Sequence, residues 1–243
     1  MSNTRFAYTN LVDAGTSSIA NSPSADAAYP ANNSRNGDRY IVWRTASSPG
    51  TPVDIEFDLG SAQAVTTAAI LNMTSLISTV DVDSASTLGV WTNRGTIVPG
   101  GAVDKGIIFG SQSFRYWRFR ITNSGQFSIG RLWLGVIQSD MGAQFSPGTG
   151  KSLVRNRRRE IGPSGMQQSF YNGRSLHEWA YRFENLTSAQ RTLLDNVMAQ
   201  QKTALLVDEG DVFYEVELAD RFDWTAVFVD LNNVDQLVAQ ELL

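Results

Sequence analysis

The chain has 243 residues, of which 42% are hydrophobic and 18% charged, with a formal net charge of −4; that is enough apolar material for a core and excludes disorder by composition. The absence of cysteine excludes disulfides, thiolate metal sites and a cysteine nucleophile. No window approaches a membrane-spanning apolar run and residues 1–10 hold no apolar leader, so the expectation is a protein made in the cytoplasm without membrane insertion.

Up to residue 138, short apolar stretches recur between turn residues, at 39–44, 53–59, 65–72, 87–92, 106–108, 116–122 and 128–136. That spacing predicts a β-sandwich or barrel. In Asp54-Ile55-Glu56-Phe57-Asp58-Leu59-Gly60 acids alternate with apolar residues, as in a half-buried strand ending at a glycine turn. Arg115–Ile121 repeats the pattern, with Trp117, Phe119 and Ile121 on the core face and Tyr116, Arg118 and Arg120 on the other. Asp81 and Asp83 share one strand face; a solvated strand edge is preferred there to a calcium loop, because the glycine and terminal glutamate of an EF-hand are missing.

Residues 139–150, SDMGAQFSPGTG, are rich in Gly, Ser and Pro and read as a linker. Beyond it, 151–243 reads as strand–helix–strand. Leu176–Phe183 alternates as a strand, Thr187 and Gln190 form a capping box, and the spacing of Leu193, Leu194, Val197 and Met198 predicts a helix over 188–201. Further strands are expected at 204–207, 212–218 and 224–231, with a short last one near 237–242.

Charge is segregated in this second part. Lys151, Arg155, Arg157, Arg158 and Arg159 form a basic cluster, whereas residues 203–243 hold 10 acidic residues against Arg221 alone. The pattern suggests head-to-tail contact between copies, the basic cluster facing Asp208, Glu209 and Asp211 of a neighbour; a solvated basic loop is the competing reading. Nucleic acid is disfavoured by the acidic balance and the lack of interleaved aromatics.

Catalytic signatures are missing. His177 is the single histidine, lies in an alternating strand, and has no Gly-x-Ser-x-Gly elbow to serve. Gly150-Lys151-Ser152 imitates the end of a P-loop, but Phe145 stands where its first glycine belongs. No metal, cofactor or enzymatic role is expected.

Asn36-Gly37-Asp38 followed by Trp43, the strand Val53–Gly60, Val65–Ile70, Arg115–Ile121 and Ile129–Gly135 occur in an order that resembles the galactose-binding-like jelly roll of the discoidin (coagulation factor 5/8 C-type) superfamily. The resemblance covers roughly residues 1–138. The second part, with Leu176–Phe183 running into Glu184-Asn185-Leu186-Thr187, a helix, and a strand pair around Glu209-Gly210-Asp211, looks like phage tail-tip proteins of the distal tail type. Together these resemblances imply a mainly β chain, an N-terminal jelly roll (1–138), a linker (139–150) and a C-terminal tail-tube-like β-barrel domain (151–243). The role they imply is a structural virion protein of a tail tip, assembled in the host cytoplasm as a ring of its own copies against the tail tube and other tip proteins. The alternative is a carbohydrate-binding or host-recognition module for cell-surface glycan. Tyr40, Trp43 and Trp91, with Arg44 or Arg94, are its candidate contacts, and core packing is the competing fate of the aromatics.

Overall fold

The computed structural model describes residues 5–13, 15, 17–21, 23, 25–102, 104–137, 139–140, 150–154, 157–161, 167–171, 176–189, 192, 195–196, 203–208, 211–218, 224–228 and 231–241; over 139–186 and 217–241 this is the backbone alone. The chain is mainly β and separates into two compact units, one of residues 1–138 with 207–213, the other of 139–206 with 214–243.

In the first unit the strands are β1 (Arg5–Ala7), β2 (Ser18–Asn21), β3 (Trp43–Arg44), β4 (Val53–Met73), β5 (Ile77–Ala85), β6 (Thr92–Ile97), β7 (Lys105–Asn123) and β8 (Ser128–Gly135). Seven of them form one antiparallel sheet in the order β3-β8-β4-β7-β5-β6, with β2 added to β4. The sheet doubles over because β4 and β7 are long and bend. Gly60 sits at φ +77, a conformation open to glycine at no steric cost, and the β4–β7 register shifts between Asp58 and Gln63. Before the bend β4 pairs with β7 from Val53↔Ile121 to Asp58↔Tyr116; after it, β4 pairs with β8 from Thr67↔Gly135 to Met73↔Ile129. Two layers of a sandwich therefore share two strands.

The core fills the space between them. Val53, Ile55, Phe57 and Leu59 from the first half of β4 join Val65, Ala68 and Ile70 from the second half, Trp117, Phe119 and Ile121 from β7, and Ile129, Leu132 and Leu134 from β8. Phe57 and Phe119 meet edge to face, with centroids 6.1 Å apart. Each such side chain contributes roughly 1.5–3 kcal/mol through burial. The alternation predicted for 53–59 and 115–121 is thus the inner face of the sandwich.

Some expected strands differ. Residues 87–91 are a turn leading into β6, with Gly89 at φ +92 and the Val90 N–H donating to the Thr87 carbonyl. Of the expected strand 39–44 only Trp43–Arg44 is extended; the rest is a loop. The acids on β5 do not line an edge, because β5 is flanked by β7 and β6, and Asp83 is buried.

In the second unit, β10 (Gly150–Val154) pairs antiparallel with β13 (Leu176–Thr187), and β13 with β17 (Leu231–Glu241), which in turn pairs with β15 (Phe213–Leu218) and β16 (Trp224–Phe228). β11 (Arg157–Ile161) and β12 (Gln167–Tyr171) form a separate antiparallel pair, and the short strands β9 (Ser139–Asp140) and β14 (Ala204–Val207) complete the set. Residues 188, 189, 192, 195 and 196 are helical, and the Thr192 hydroxyl donates to the Ser188 carbonyl one turn back at 2.9 Å; the rest of the helix expected over 188–201, and most of the expected linker, lie outside the described residues.

Candidate functional site

Strand register places five loops of the first unit at one end of the sandwich. β4 ends at Met73 opposite Ile129, β3 is paired to that same residue, and β5 begins at Ile77 opposite Asn123, the last residue of β7. Loops 36–42, 45–52, 74–76, 98–104 and 124–127 therefore crowd together, while the β4 bend and the 86–91 turn occupy the other end. Four large apolar side chains stand exposed on the crowded end: Tyr40 (58%), Ile41 (41%), Leu76 (42%) and Val98 (59%).

The loop carrying Tyr40 is fixed from below. Arg39 turns inward and its Nη2 donates to Asp104 Oδ1 at 2.6 Å, with side chains only 5% and 6% exposed. The same Asp104 oxygen accepts the Asn72 backbone N–H at 2.7 Å, and Asn72 Nδ2 donates to the Arg39 carbonyl at 3.0 Å. Arg131 reaches up from β8, donating to the Gly37 carbonyl at 3.4 Å while holding both oxygens of Asp13 at 2.8–2.9 Å. Within the loop, Asn36 Oδ1 accepts from Asp38 N–H and Asp38 Oδ1 from Tyr40 N–H, two successive Asx turns. Gly130 is the floor: a Cβ there would lie 2.1 Å from the Arg39 carbonyl oxygen. Arg39 points in and Tyr40 points out of a backbone that has little freedom. An open pocket of about 260 Å³ lies beside β2 and the start of β4, lined by Pro23, Pro49 and Pro52 with Asn21 and Asp54 as its polar groups.

Tyr40 is the one candidate aromatic that offers a ring. Trp43 is fully buried, packed edge to face on Phe127 with centroids 5.5 Å apart, so it belongs to the core and has no face for a sugar. Trp91 lies at the opposite end, with the Arg118 guanidinium 4.8 Å from its ring centre. Arg94 is held over Phe114 at 4.5 Å and donates to the Ser84 hydroxyl at 2.7 Å. Arg44 is half-buried over the Tyr29 ring at 4.2 Å. The five candidates are split between two ends and do not make one site. The residues that build the Tyr40 loop (Arg39, Asn72, Asp104 and Gly130) carry no local sequence signal except Gly130, a lone glycine inside an apolar strand, which marks a close backbone approach.

The outer face of the sheet is a charge ladder. Asp54 pairs with Arg120 and Glu56 with Arg118 across β4–β7, and the same arginines stand opposite Asp81 and Asp83 across β7–β5. Arg118 donates from Nε and Nη2 to Asp83 Oδ2 at 2.9 and 2.6 Å and from Nη1 to Asp54 Oδ2 at 3.3 Å. Asp83 is therefore an ion-pair partner and not a solvated strand-edge residue. Burial pushes the Glu56 carboxyl above the usual carboxylate range, opposed by Arg118 and reinforced by Asp54. A raised native pKa means that the ionised form is disfavoured by folding, so Glu56 supports stability below its ordinary pKa and loses that support as pH rises through the native value. Glu56→Gln is expected to raise the melting temperature at neutral pH, with the gain fading as pH falls through the raised native value and gone below the ordinary carboxylate range. Thermal unfolding of both proteins across pH measures it, and a gain that grows in acid would contradict the assignment.

The residues expected to form a ring interface are described in part. Lys151 and Arg157–Arg159 lie on strands whose backbone alone is described, and Arg155 and Glu209 lie outside the described residues. Asp208 is a turn former, its Oδ1 accepting the Val212 N–H at 3.0 Å, and Asp211 lies 3.7 Å from Arg5 Nη1.

No protein-family model matches the chain, and no curated protein matches it. Solved structures do. Chitosan-binding module 1 of a chitosanase/glucanase from Paenibacillus sp. IK-5 is similar at 20% identity and a TM-score of 0.45, over 53% of this chain and 99% of the module. The family 32 carbohydrate-binding module of Clostridium perfringens NanJ, solved with galactose, is similar at 20% identity and a TM-score of 0.44, over 54% and 98%. SpGH29 is similar at 16% identity and a TM-score of 0.44, over 53% of this chain and 28% of that protein. At such identities a ligand is not transferable from one chain to another, and what these loops can hold follows from their own residues.

Proposed function

We propose that the first unit is a carbohydrate-binding module that holds a glycan against Tyr40 at the crowded loop end. The observation that carries this is a largely exposed tyrosine ring on a loop whose next residue inward is locked by a buried ion pair. Sugars present flat C–H faces together with hydroxyls, and an immobilised aromatic ring beside polar groups binds such surfaces with little ordering cost. Ile41, Leu76 and Val98 are exposed on loops of the same end, and the Asn21–Asp54 pocket adds hydrogen-bonding groups there. The tail-tip role expected from the sequence gains no support from the described residues, whereas the exposed ring on a fixed loop favours the glycan-binding alternative.

The test is a glycan array followed by titration of the retained sugars against Tyr40→Ala. Loss of a stacking contact of about 0.5–1.5 kcal/mol weakens binding roughly twofold to tenfold. The melting temperature should not move, since the ring is solvent-facing. A wild-type protein retained by no glycan, or a Tyr40→Ala variant that binds as well as wild type, would refute the proposal.

A further inference from the structure

Exposed charge in the five loops around Tyr40 is one-sided. Its arginines are met from inside: Arg39 by Asp104, Arg131 by both oxygens of Asp13, and Arg35 by the carbonyls of Val12, Asp13 and Ser17. Arg44, Lys105 and Arg120 belong to strands; the first two are half-buried, and Arg120, 43% exposed, faces the pocket residue Asp54 at 3.8 Å. In the five loops themselves, no lysine occurs and Arg39 is the one arginine. What they do expose is a carboxylate. Asp38 is solvent-facing, and its Oδ1 accepts the Tyr40 N–H at 2.9 Å, which ties the acid to the backbone of the residue that carries the exposed ring.

An acidic sugar laid on Tyr40 would bring its carboxylate or sulfate towards Asp38 with no exposed cation in the loops to meet it. Like charges brought together at an interface oppose binding, and an anion stripped of water without a partner opposes it further. An amine-bearing sugar would instead find a counter-charge in place. We infer that this end takes uncharged or amine-bearing sugars and rejects acidic ones, with Asp38 setting the preference. The inference rests on the glycan-binding role proposed for the Tyr40 loop.

The experiment uses the whole protein and sets of oligosaccharides that share a backbone and differ only in carrying an amine, an uncharged group or a carboxylate. Binding is measured by calorimetry at low and at physiological salt. The acidic member of each set is expected to bind about tenfold more weakly than its uncharged counterpart, the gap narrowing with salt. Asp38→Asn, which keeps an oxygen to accept the Tyr40 N–H, should weaken the amine-bearing member about threefold to fivefold more than the uncharged member, the scale of an exposed ion pair. Asp38→Lys should favour the acidic member. An acidic sugar that binds as well as its uncharged partner, or an Asp38→Asn variant that loses both uncharged and amine-bearing sugars equally, overturns the inference while leaving the glycan-binding role intact. Failure of every member to bind the wild-type protein overturns that role and the inference with it.

Discussion

Asp104→Ala is expected to remove about 3–5 kcal/mol from the stability of the first unit, the scale seen when one partner of a buried ion pair is deleted. Its carboxylate is 6% exposed and does two things at once: it neutralises Arg39, itself 5% exposed, and it accepts the Asn72 backbone N–H. Alanine would leave a buried guanidinium without its counter-charge and an amide hydrogen without an acceptor, both of which cost the full desolvation of the group. Chemical denaturation measures the loss. A second variant separates charge from loop geometry. In Arg39→Met/Asp104→Leu both charges go, and replacing a buried pair by apolar residues of similar volume is often nearly neutral. The double variant should therefore recover most of the stability but not the loop, since Asn72 still lacks its acceptor; its glycan affinity should stay below wild type. A loss of under about 1 kcal/mol for Asp104→Ala would mean that water serves Arg39 well enough and the loop is not locked by this pair.

Much of the sandwich was legible because its strands alternate cleanly. Ile55, Phe57, Trp117, Phe119 and Ile121 carry the period of a sheet with one buried face, and each is fully buried. What the pattern could not show is that β4 runs through Gly60 into a second layer. A bend looks locally like the end of one strand and the start of another, so 53–59 and 65–72 read as separate elements. The charged positions misled for a related reason. Asp83 lies on the polar face of its strand, and a polar face reads as solvated; only the register with β7 shows Arg118 opposite it and Trp91 over that arginine. The candidate site was legible only in part. Tyr40 and Trp43 are both candidate aromatics within one expected strand, and nothing in the sequence tells the exposed ring from the one that goes to the core. Arg39 and Asp104 are 65 residues apart in sequence, and no local rule joins them.

Gly130→Ala is the second variant with a large expected effect, and it acts on Tyr40 without touching it. A Cβ at this position of β8 would sit 2.1 Å from the Arg39 carbonyl oxygen, 3.1 Å from the Arg39 carbonyl carbon and 2.8 Å from Asn72 Cβ. Two of these are backbone atoms, which cannot turn aside as the tip of a flexible side chain can. The loop must lift, and lifting it breaks the Asn72 Nδ2 donation to the Arg39 carbonyl and pulls Arg39 off Asp104. Overpacking of this kind costs about 1–3 kcal/mol or more. Glycan affinity should fall at least as far as in Tyr40→Ala, even though the ring is intact, because the ring would no longer be held in place. Gly125→Ala, at the same end, is the matched control. Its Cβ would meet only Leu76 Cδ1 at 3.8 Å, an ordinary contact, so stability and binding should both stay near wild type. The comparison isolates the position of the loop as the cause: if Gly130→Ala binds sugar as Gly125→Ala does, the fixed backbone under Tyr40 is not what makes its ring a binding surface.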